Sequence, residues 1–287
     1  MADCEIVYPP TLEAALAALD PDDPAVRPLG GGTALMLMMR SQLFQPRRLV
    51  VLGQVAGGLN GCTVSETSDS LKIGAMTTFS ELEHSTVIAR HLPAVRAAMR
   101  ELANVRVRNV ATVGGNLAHG DPHLDLPPIW AALGARITVH APQGVRSVPV
   151  EEMFLDYYRT VVEDGELITE LHVPLRPDWR TTYSKVTTRA AHDWPAIGLA
   201  VSAHIQQDRI ADVRIVLSAA VDCPTRLRGA EAVLKGATAS DRALADAGEA
   251  AVADIELSDD LRGSAAYKAQ LLRVHLARAI TKLAGEP

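Results

Sequence analysis

Two glycine-rich segments about eighty residues apart constrain this chain more than any other feature of its sequence. The first is Gly30-Gly31-Gly32-Thr33, and the second is the stretch ATVGGN at 111–116. Glycine adopts positive φ without steric cost and lets a ligand approach the backbone closely. Converging backbone amides suit an anion such as a pyrophosphate. One such segment alone is as readily a tight turn, but two of them predict a diphosphate-containing cofactor held from both sides.

The first segment does not match the glycine patterns of the common nucleotide-binding folds. The first has neither the GxGxxG spacing with a later acidic residue nor the lysine of a GxxxxGK[ST] loop. Thr33 has two possible roles, donating its hydroxyl to a phosphate oxygen or capping a helix that begins at Ala34. The second segment offers a threonine hydroxyl, exposed amides and the Asn116 side chain. Asp121 and Asp125 follow it, and a carboxylate near a nucleotide accepts from sugar hydroxyls.

Histidines and aspartates alternate after the second segment and raise the question of a metal site. His119 and His123 have the i, i+4 spacing that aims two imidazoles at one ion on a helix. Gly120 and Pro122 lie between them, so we expect neither a regular helix nor a metal there. The three cysteines are far apart in the sequence and form no iron–sulfur or zinc motif.

The composition narrows the class of protein further. The 287 residues carry a formal net charge of −6 and no basic stripe, which argues against nucleic-acid binding. No apolar run approaches the roughly 18 residues of a membrane span. The first residues lack a basic segment followed by an apolar stretch, so we expect no signal peptide and a cytoplasmic protein.

Hydrophobic periodicity predicts a change of architecture along the chain. The pattern over residues 1–57 predicts a β-loop-helix-β unit, and the pattern over 58–175 predicts hairpins and short helices. Pro174 and Pro177 mark a boundary near 175–180. Beyond it we expect strands at 182–189, 197–206 and 210–221, then helices at about 225–235, 239–253 and 264–284. Strands and helices mixed without regular βαβ alternation predict the α+β class.

Several stretches of the sequence resemble one known family. They are PLGGGTALMLMMR, NVRVRNVATVGGNLAHGDPHLDLPP, the MFLDYYRT and GELITELHVP segments, YSKVTTRAAHDWPAIGLAV, and YKAQLLRVHLARAI near the C-terminus. Over almost its whole length the chain resembles the FAD-binding medium subunit of molybdenum hydroxylases. That group includes carbon monoxide dehydrogenase and the flavin domain of xanthine dehydrogenase.

The resemblance implies an α+β chain of two domains. Residues 1–175 would form a two-lobed FAD-binding domain of the vanillyl-alcohol-oxidase type, with lobes at about 1–57 and 58–175. Residues 180–287 would form a smaller domain like the C-terminal domain of the carbon monoxide dehydrogenase flavoprotein. In the family, that domain is a three-stranded sheet with a helical bundle.

The resemblance also assigns FAD contacts by position in the family motifs. The pyrophosphate would lie between the two glycine segments, and Asp125 would lie near the cofactor sugar. Trp194 would screen the isoalloxazine, unless it packs in the core, and Lys185 would stabilise reduced flavin, unless it forms a surface ion pair. No residue is expected to be catalytic or to bind metal. The expected cofactor residues are Gly30, Gly31, Gly32, Thr33, Ala34, Ala103, Thr112, Gly114, Gly115, Asn116, Asp125, Ile168, Lys185 and Trp194.

The function implied by the resemblance is electron transfer. Substrate would be oxidised at a molybdopterin centre on a large partner subunit. Electrons would cross two [2Fe-2S] clusters on a small iron–sulfur subunit and reach FAD on this chain, for an external acceptor that the sequence leaves open. The assembly would be a dimer of heterotrimers. Two alternatives remain, namely a free-standing FAD-dependent oxidase or dehydrogenase and a non-catalytic nucleotide-binding regulator.

Overall fold

The computed structural model describes residues 4–57, 59–190 and 192–285. Three expectations fall partly outside these ranges: the absence of a signal at the extreme N-terminus, the start of the second lobe at 58, and the chain end at 286–287.

The N-terminal lobe is a three-stranded parallel sheet with two helices. Its elements are β1 (Glu5–Val7), α1 (Leu12–Ala18), β2 (Val26–Leu29), α2 (Thr33–Arg40) and β3 (Arg48–Val51). The sequence at 11–19 predicts a helix with Thr11 as its cap. This cap is present, since Oγ1 of Thr11 accepts from the Ala14 amide at 3.2 Å. Helix α1 buries Ala15 against Val26 and Val50, which closes a small core for this lobe.

The second lobe is built on a five-stranded antiparallel sheet flanked by short helices. Its elements in chain order are β4 (Cys62–Val64), β5 (Ser70–Gly74), α3 (Phe79–His84), α4 (Thr86–His91), α5 (Pro93–Ala98), α6 (Val105–Arg108), α7 (Val113–His119), α8 (Leu126–Leu133), β6 (Arg136–Ala141), β7 (Gly144–Pro149), β8 (Phe154–Asp156), β9 (Arg159–Thr160) and β10 (Leu167–Pro174). The sheet order is β4-β5-β10-β6-β7. Both predicted hairpins, β4–β5 and β6–β7, are confirmed.

One predicted helix of this lobe is shorter than expected. The apolar pattern from Pro93 predicts a helix as far as Ala103, but α5 ends at Ala98. Ala103 has φ of 48°, in the left-handed region that a helix cannot contain. The side chains of Arg108 and Lys185 hold this turn by hydrogen bonds to its carbonyls, and the apolar pattern of the helix does not predict these bonds.

The C-terminal domain is an antiparallel sheet covered on one face by helices. Its elements are β11 (Trp179–Val186), β12 (Ile197–Gln206), β13 (Arg209–Ser218), β14 (Thr225–Arg226), α9 (Arg228–Leu234), α10 (Asp241–Ala253) and α11 (Ala265–Gly285). The three long strands are those expected, and β14 adds a two-residue edge to them. The overall α+β architecture is therefore as predicted.

The two faces of this sheet serve different neighbours because strand side chains alternate. On β13, Val213 and Ile215 join the core beneath the three helices, whereas Val216 joins the core of the second lobe. Helix α8 packs on that second face, against β12 and β13. The sheet thus connects the two domains through α8. Among the described residues, no helix combines the length and apolar character that crossing a bilayer requires.

Candidate cofactor site

The two glycine segments meet at the N-termini of α2 and α7. A Cβ atom added to Gly31 would overlap the carbonyl group of Val110, whose carbon would be only 2.6 Å away. One added to Gly30 would lie 2.9 Å from Oγ1 of Thr112. Gly32 has a different role, because its φ of 70° is left-handed at the cap of α2. Glycine is therefore required here by close approach at two positions and by backbone conformation at the third.

The start of α2 presents the backbone donors that an anion requires. Among the described residues, no acceptor is bonded to the amides of Thr33, Ala34 or Leu35. The first amides of a helix lack intrahelical acceptors and lie at the positive end of its dipole, which suits phosphate oxygens. Thr33 is itself the first helical residue and Gly32 is the cap. Of the two roles open to Thr33, capping is thereby excluded.

The second segment is the first turn of a helix and not an open loop. Gly115 N donates to Oγ1 of Thr112 at 3.2 Å, and Asn116 N donates to the Thr112 carbonyl at 2.9 Å. Gly114 N donates to the carbonyl of Ala75 at 2.7 Å. The expectation of exposed amides in this segment is wrong, because α7 and its packing already use them.

A polar atom of this turn nevertheless lacks a partner. Oδ1 of Asn116 is buried, and no group in the described part of the chain donates to it. A buried acceptor without a donor costs on the order of 1–3 kcal/mol. The site therefore fits a ligand that brings hydroxyl donors to Asn116 and phosphate oxygens to the start of α2.

Ile168 reaches the second segment through the backbone of β10. It is buried in the core of the second lobe and pairs with Val139. The next carbonyl, that of Thr169, accepts from the Ala75 amide at 2.9 Å, and Ala75 in turn accepts from Gly114. Ile168 thus belongs to the same neighbourhood as the glycine segments.

A buried ion pair joins the second lobe to the C-terminal domain. Nζ of Lys185 lies 3.0 Å from Oδ2 of Asp125, and the two side chains are only 3% and 8% exposed. The Tyr183 hydroxyl donates to Oδ1 of Asp125 at 2.7 Å. Burial raises the pKa of Asp125, while Lys185 and the Tyr183 hydroxyl act against that rise. Lys185 does not form a surface ion pair, so that alternative is wrong.

Sequence reasoning missed Tyr183, although the sequence contains a signal for it. Tyr183 and Lys185 are two residues apart on β11, so their side chains lie on the same face of the sheet. Burial, followed by the nearby Asp125 carboxylate, raises the pKa of Tyr183 well above its usual value. The phenol therefore stays a hydrogen-bond donor to Asp125.

The turn that contains Ala103 is held by cationic side chains. Nη1 of Arg108 donates to the carbonyl oxygens of Leu102 at 3.2 Å and Ala103 at 2.9 Å. The preceding carbonyl, that of Glu101, accepts from Lys185 at 3.0 Å. Three consecutive carbonyls are thus bonded to basic groups, which maintains the positive φ of Ala103. Ala103 and Lys185 therefore share a second neighbourhood with Asp125.

Trp194 lies at the surface beside the segment that follows α7. Its ring is 46% exposed and stacks on His123, with centroids 4.7 Å apart and an angle of 12° between the planes. Arg262 covers the Trp194 ring at 5.1 Å. Nδ1 of His123 lies 2.9 Å from Oδ1 of Asp121, which fixes the imidazole. The alternative that Trp194 packs in the core is therefore wrong.

The histidines do not converge on a metal. Helix α7 ends at His119, and Gly120 follows with a left-handed φ of 68°. The His119 ring packs edge-on against Tyr158 at 5.2 Å, while His123 stacks on Trp194. Within the described ranges, no group of His, Cys, Asp or Glu residues could hold a metal ion.

Family models match the chain in the order that the fold suggests. An FAD binding domain in molybdopterin dehydrogenase matches residues 2–176, and a CO dehydrogenase flavoprotein C-terminal domain matches residues 182–283. The fold and the site therefore define an FAD-binding oxidoreductase subunit. The chain belongs to the family of FAD-binding medium subunits of molybdenum hydroxylases.

Relatives and solved structures cover nearly the whole chain. The nicotine 6-hydroxylase medium subunit of Paenarthrobacter nicotinovorans is 32% identical over 96% of this chain and 95% of its own length. The carbon monoxide dehydrogenase medium chain of Hydrogenophaga pseudoflava is 31% identical over 88% of this chain and 87% of its own. A structure of carbon monoxide dehydrogenase from that organism aligns with a TM-score of 0.92, at 31% identity, over 97% of this chain and 96% of that one.

The two glycines of α7 predict different defects. A Cβ at Gly114 would lie 2.7 Å from the Cβ of Ala75, within packed protein, whereas one at Gly115 would meet only Oγ1 of Thr112 at 2.9 Å. We expect Gly114→Ala to lower the free energy of unfolding by about 1–3 kcal/mol. Gly115→Ala would press only on the Thr112 hydroxyl that caps α7, so it should destabilise folding less than Gly114→Ala does, and it should weaken FAD binding. Urea unfolding without cofactor and flavin fluorescence titration measure the two effects, and the reverse pattern would contradict the assignment.

Proposed function

We propose that this chain is the electron-transferring FAD subunit of a heteromeric molybdenum hydroxylase. It would receive electrons from iron–sulfur clusters of a partner and pass them to an external acceptor. The observation that carries the proposal is the meeting of both glycine segments at one site, in a chain that matches medium subunits end to end. The two modules, 1–175 and 180–287, would act together because Asp125 and Lys185 connect them.

The described residues divide the work of holding FAD. The free amides at the start of α2 bind the pyrophosphate between the glycine segments, and Oδ1 of Asn116 accepts from a hydroxyl of the cofactor. Asp125 keeps unused lone pairs for a sugar hydroxyl, since a carboxylate accepts about four hydrogen bonds. Nζ of Lys185 lies 3.0 Å from Oδ2 of Asp125 at this end of the site. When bound, FAD supplies the electron-carrying chemistry and the protein supplies position and electrostatics.

The remaining cofactor positions complete the proposed site. Ile168, beside the glycine segments, and Ala103, beside Asp125 and Lys185, would each bring backbone next to the cofactor. Trp194 screens the isoalloxazine from solvent, for which its exposed ring and its place beside His123 are suited. No side chain of this set transfers a proton to or from the substrate.

The proposed partner subunits would supply the iron–sulfur clusters, for which this chain has too few clustered cysteine ligands. Its three cysteines, Cys4, Cys62 and Cys223, are all free and dispersed, whereas each iron–sulfur cluster takes about four ligands. The clusters would therefore lie on a small iron–sulfur subunit, and the molybdopterin on a large subunit. We propose a cytoplasmic dimer of such heterotrimers.

A second candidate is a free-standing FAD-dependent oxidase or dehydrogenase. One observation favours it, namely the buried Asp121–His123 pair, which is the arrangement of an acid–base group. Trp194 covers the imidazole face, however, which leaves little access for a substrate.

Reconstitution separates the two candidates. The chain alone and the complex, co-purified with its partners, are offered the substrates in the relatives' names, among them carbon monoxide, xanthine and nicotine. We expect that only the complex, and not the isolated chain, oxidises one of these substrates. In a complex carrying Gly115→Ala, substrate should still reduce the clusters, while acceptor reduction falls with FAD content in stopped-flow spectra. Oxidation by the lone chain at the rate of the complex would establish the free-standing enzyme instead.

A further inference from the structure

A cavity of about 190 Å³ lies at the junction of the second lobe and the C-terminal domain. It is lined by the start of α5, the end of α8, the link into β11 and the face of the sheet that α8 covers. It lies away from the cofactor site, because α8 has Asp125 at its first turn and Leu133 at its last. Those ends are about 12 Å apart at 1.5 Å per residue.

Two hydroxyls and the guanidinium groups of Arg176 and Arg180 line this cavity, and the guanidinium group of Arg214 lies beside it. Arg180 is engaged, since its Nη1 donates to the Leu283 carbonyl at 2.8 Å. Thr181 and Ser202 line it, with their hydroxyl oxygens 2.8 Å apart. Arg214 is the register partner of Ser202 on the next strand and lies on the same face. Arg176 lines the cavity from the other side. A Cβ added to Gly134, at the end of α8, would meet Nη1 of Arg214 at 2.5 Å and Nη2 of Arg176 at 3.5 Å.

Within the part of the chain that the structure describes, these two arginines have no acidic partner. Neither Arg176 nor Arg214 forms a salt bridge or donates a side-chain hydrogen bond to any described residue. The nearby carboxylates are already engaged, since Glu231 binds Arg226 at 2.6 Å, and Glu151 binds Arg226 at 3.0 Å. Arg176 does cover the Trp179 ring at 4.7 Å, which holds its side chain in place.

The charges around the cavity do not balance. Arg176 and Arg180 line the cavity, and Arg214 lies near Arg226 and the carboxylates of Glu151 and Glu231. Four guanidinium groups are thus accompanied by two carboxylates, which leaves two positive charges in excess. The C-terminus of α8 offers only about half an elementary charge of the opposite sign. The carbonyls of Ala131 and Trp130 accept from the amides of residues 134 and 135, and no carbonyl of this end accepts from either arginine. Burial and the neighbouring arginines lower the pKa of Arg214, as expected for an uncompensated cation.

We propose that Arg176 and Arg214, with the hydroxyls of Thr181 and Ser202, form a binding site for a small oxyanion of the phosphate type. The guanidinium fork matches two oxygens of such an ion, and the two hydroxyls supply further donors. A cavity of about 190 Å³ admits the ion with accompanying water, whose share of liquid volume is about 30 Å³ per molecule. Binding would supply the two negative charges that the junction lacks and would stabilise the contact between the domains.

Calorimetric titration with inorganic phosphate tests the site in the FAD-loaded full chain, in which the pyrophosphate site is filled. Chloride at equal ionic strength serves as the blank. We expect saturable binding of phosphate, weakened at least about tenfold in Arg176→Met/Arg214→Met, since a charge-assisted hydrogen bond is worth more than the 1.4 kcal/mol of a tenfold change. The matched control Arg228→Met/Arg242→Met removes two exposed charges, 69% and 93% exposed, and should bind as the wild type does.

Thermal unfolding separates an oxyanion site from a purely structural role. In chloride, the Arg176→Met/Arg214→Met protein should unfold no earlier than the wild type, because the substitution removes two like charges without partners. In phosphate, only the wild type and the control variant should gain stability. Competition by glycerol 3-phosphate would identify a phosphate monoester as the ligand, and its absence would identify the free ion. Undiminished phosphate binding by the double variant, or its destabilisation in both buffers, would overturn the proposal.

Discussion

Gly31→Ala should yield a protein that purifies without FAD. The added Cβ would overlap the Val110 carbonyl and lie 2.9 Å from the Cα of Ala111, so it meets backbone that no side-chain rotation can relieve. The two glycine segments must then separate, and the amides at the start of α2 move away from α7. We expect FAD affinity to fall by at least about 100-fold, which is about 2.8 kcal/mol at 1.4 kcal/mol per tenfold.

Gly53→Ala is the matched control, because a Cβ there would meet nothing within 4 Å and its φ is not left-handed. It should retain FAD at the wild-type level. The measurement is flavin content per chain after gel filtration, followed by fluorescence titration of the stripped proteins. Far-UV circular dichroism shows whether Gly31→Ala keeps its fold. Wild-type flavin content in folded Gly31→Ala would remove the first segment from the cofactor site.

Asp125→Ala should destabilise the folded protein severely. It leaves the Lys185 ammonium, 3% exposed, without its carboxylate and removes the acceptor of the Tyr183 hydroxyl. Breaking a buried pair in this way costs about 3–5 kcal/mol, because one charge remains uncompensated. The loss should appear in urea unfolding as a lower midpoint.

A second variant distinguishes the buried charge from simple loss of packing. Asp125→Ala/Lys185→Met removes both charges, and we expect it to recover a large part of the lost stability. Asp246→Ala is the surface control, since Asp246 and Arg242 are 60% and 93% exposed and their pair is worth at most about 0.5 kcal/mol. If the double variant were as unstable as Asp125→Ala, the uncompensated lysine would not be the cause.

Local signals were sufficient to predict much of the fold. The cap at Thr11, the hairpins and the long strands of the C-terminal domain each depend on residues close in sequence. Helix α5 was predicted too long because the turn that follows it is held partly by a contact that is not local. The carbonyls at 101–103 accept from Arg108 and from Lys185, and the latter is 84 positions away.

The meeting of the two glycine segments was predictable from the sequence, and the hydrogen bonds around them were not. The glycine segments were correctly expected to meet, since Gly30 and Gly31 lie against 110–112. Whether an amide stays free depends on acceptors elsewhere in the chain, such as the Ala75 carbonyl that accepts from Gly114. The sequence of the second segment does not indicate these acceptors. The two arginines beside the junction cavity were likewise invisible, because strand register brings Arg214 next to Ser202.

The bonds made by Lys185 also have a consequence for the order of events during synthesis. Lys185 and Tyr183 bind Glu101 and Asp125, which precede them by 58 to 84 residues. When residues 1–175 have been synthesised, both glycine segments of the proposed cofactor site are present, but the lysine and tyrosine that contact Glu101 and Asp125 are not. Chains grow at roughly 5–20 residues per second. The proposed cofactor site is therefore complete only once β11 has emerged, when the C-terminal domain is already being built.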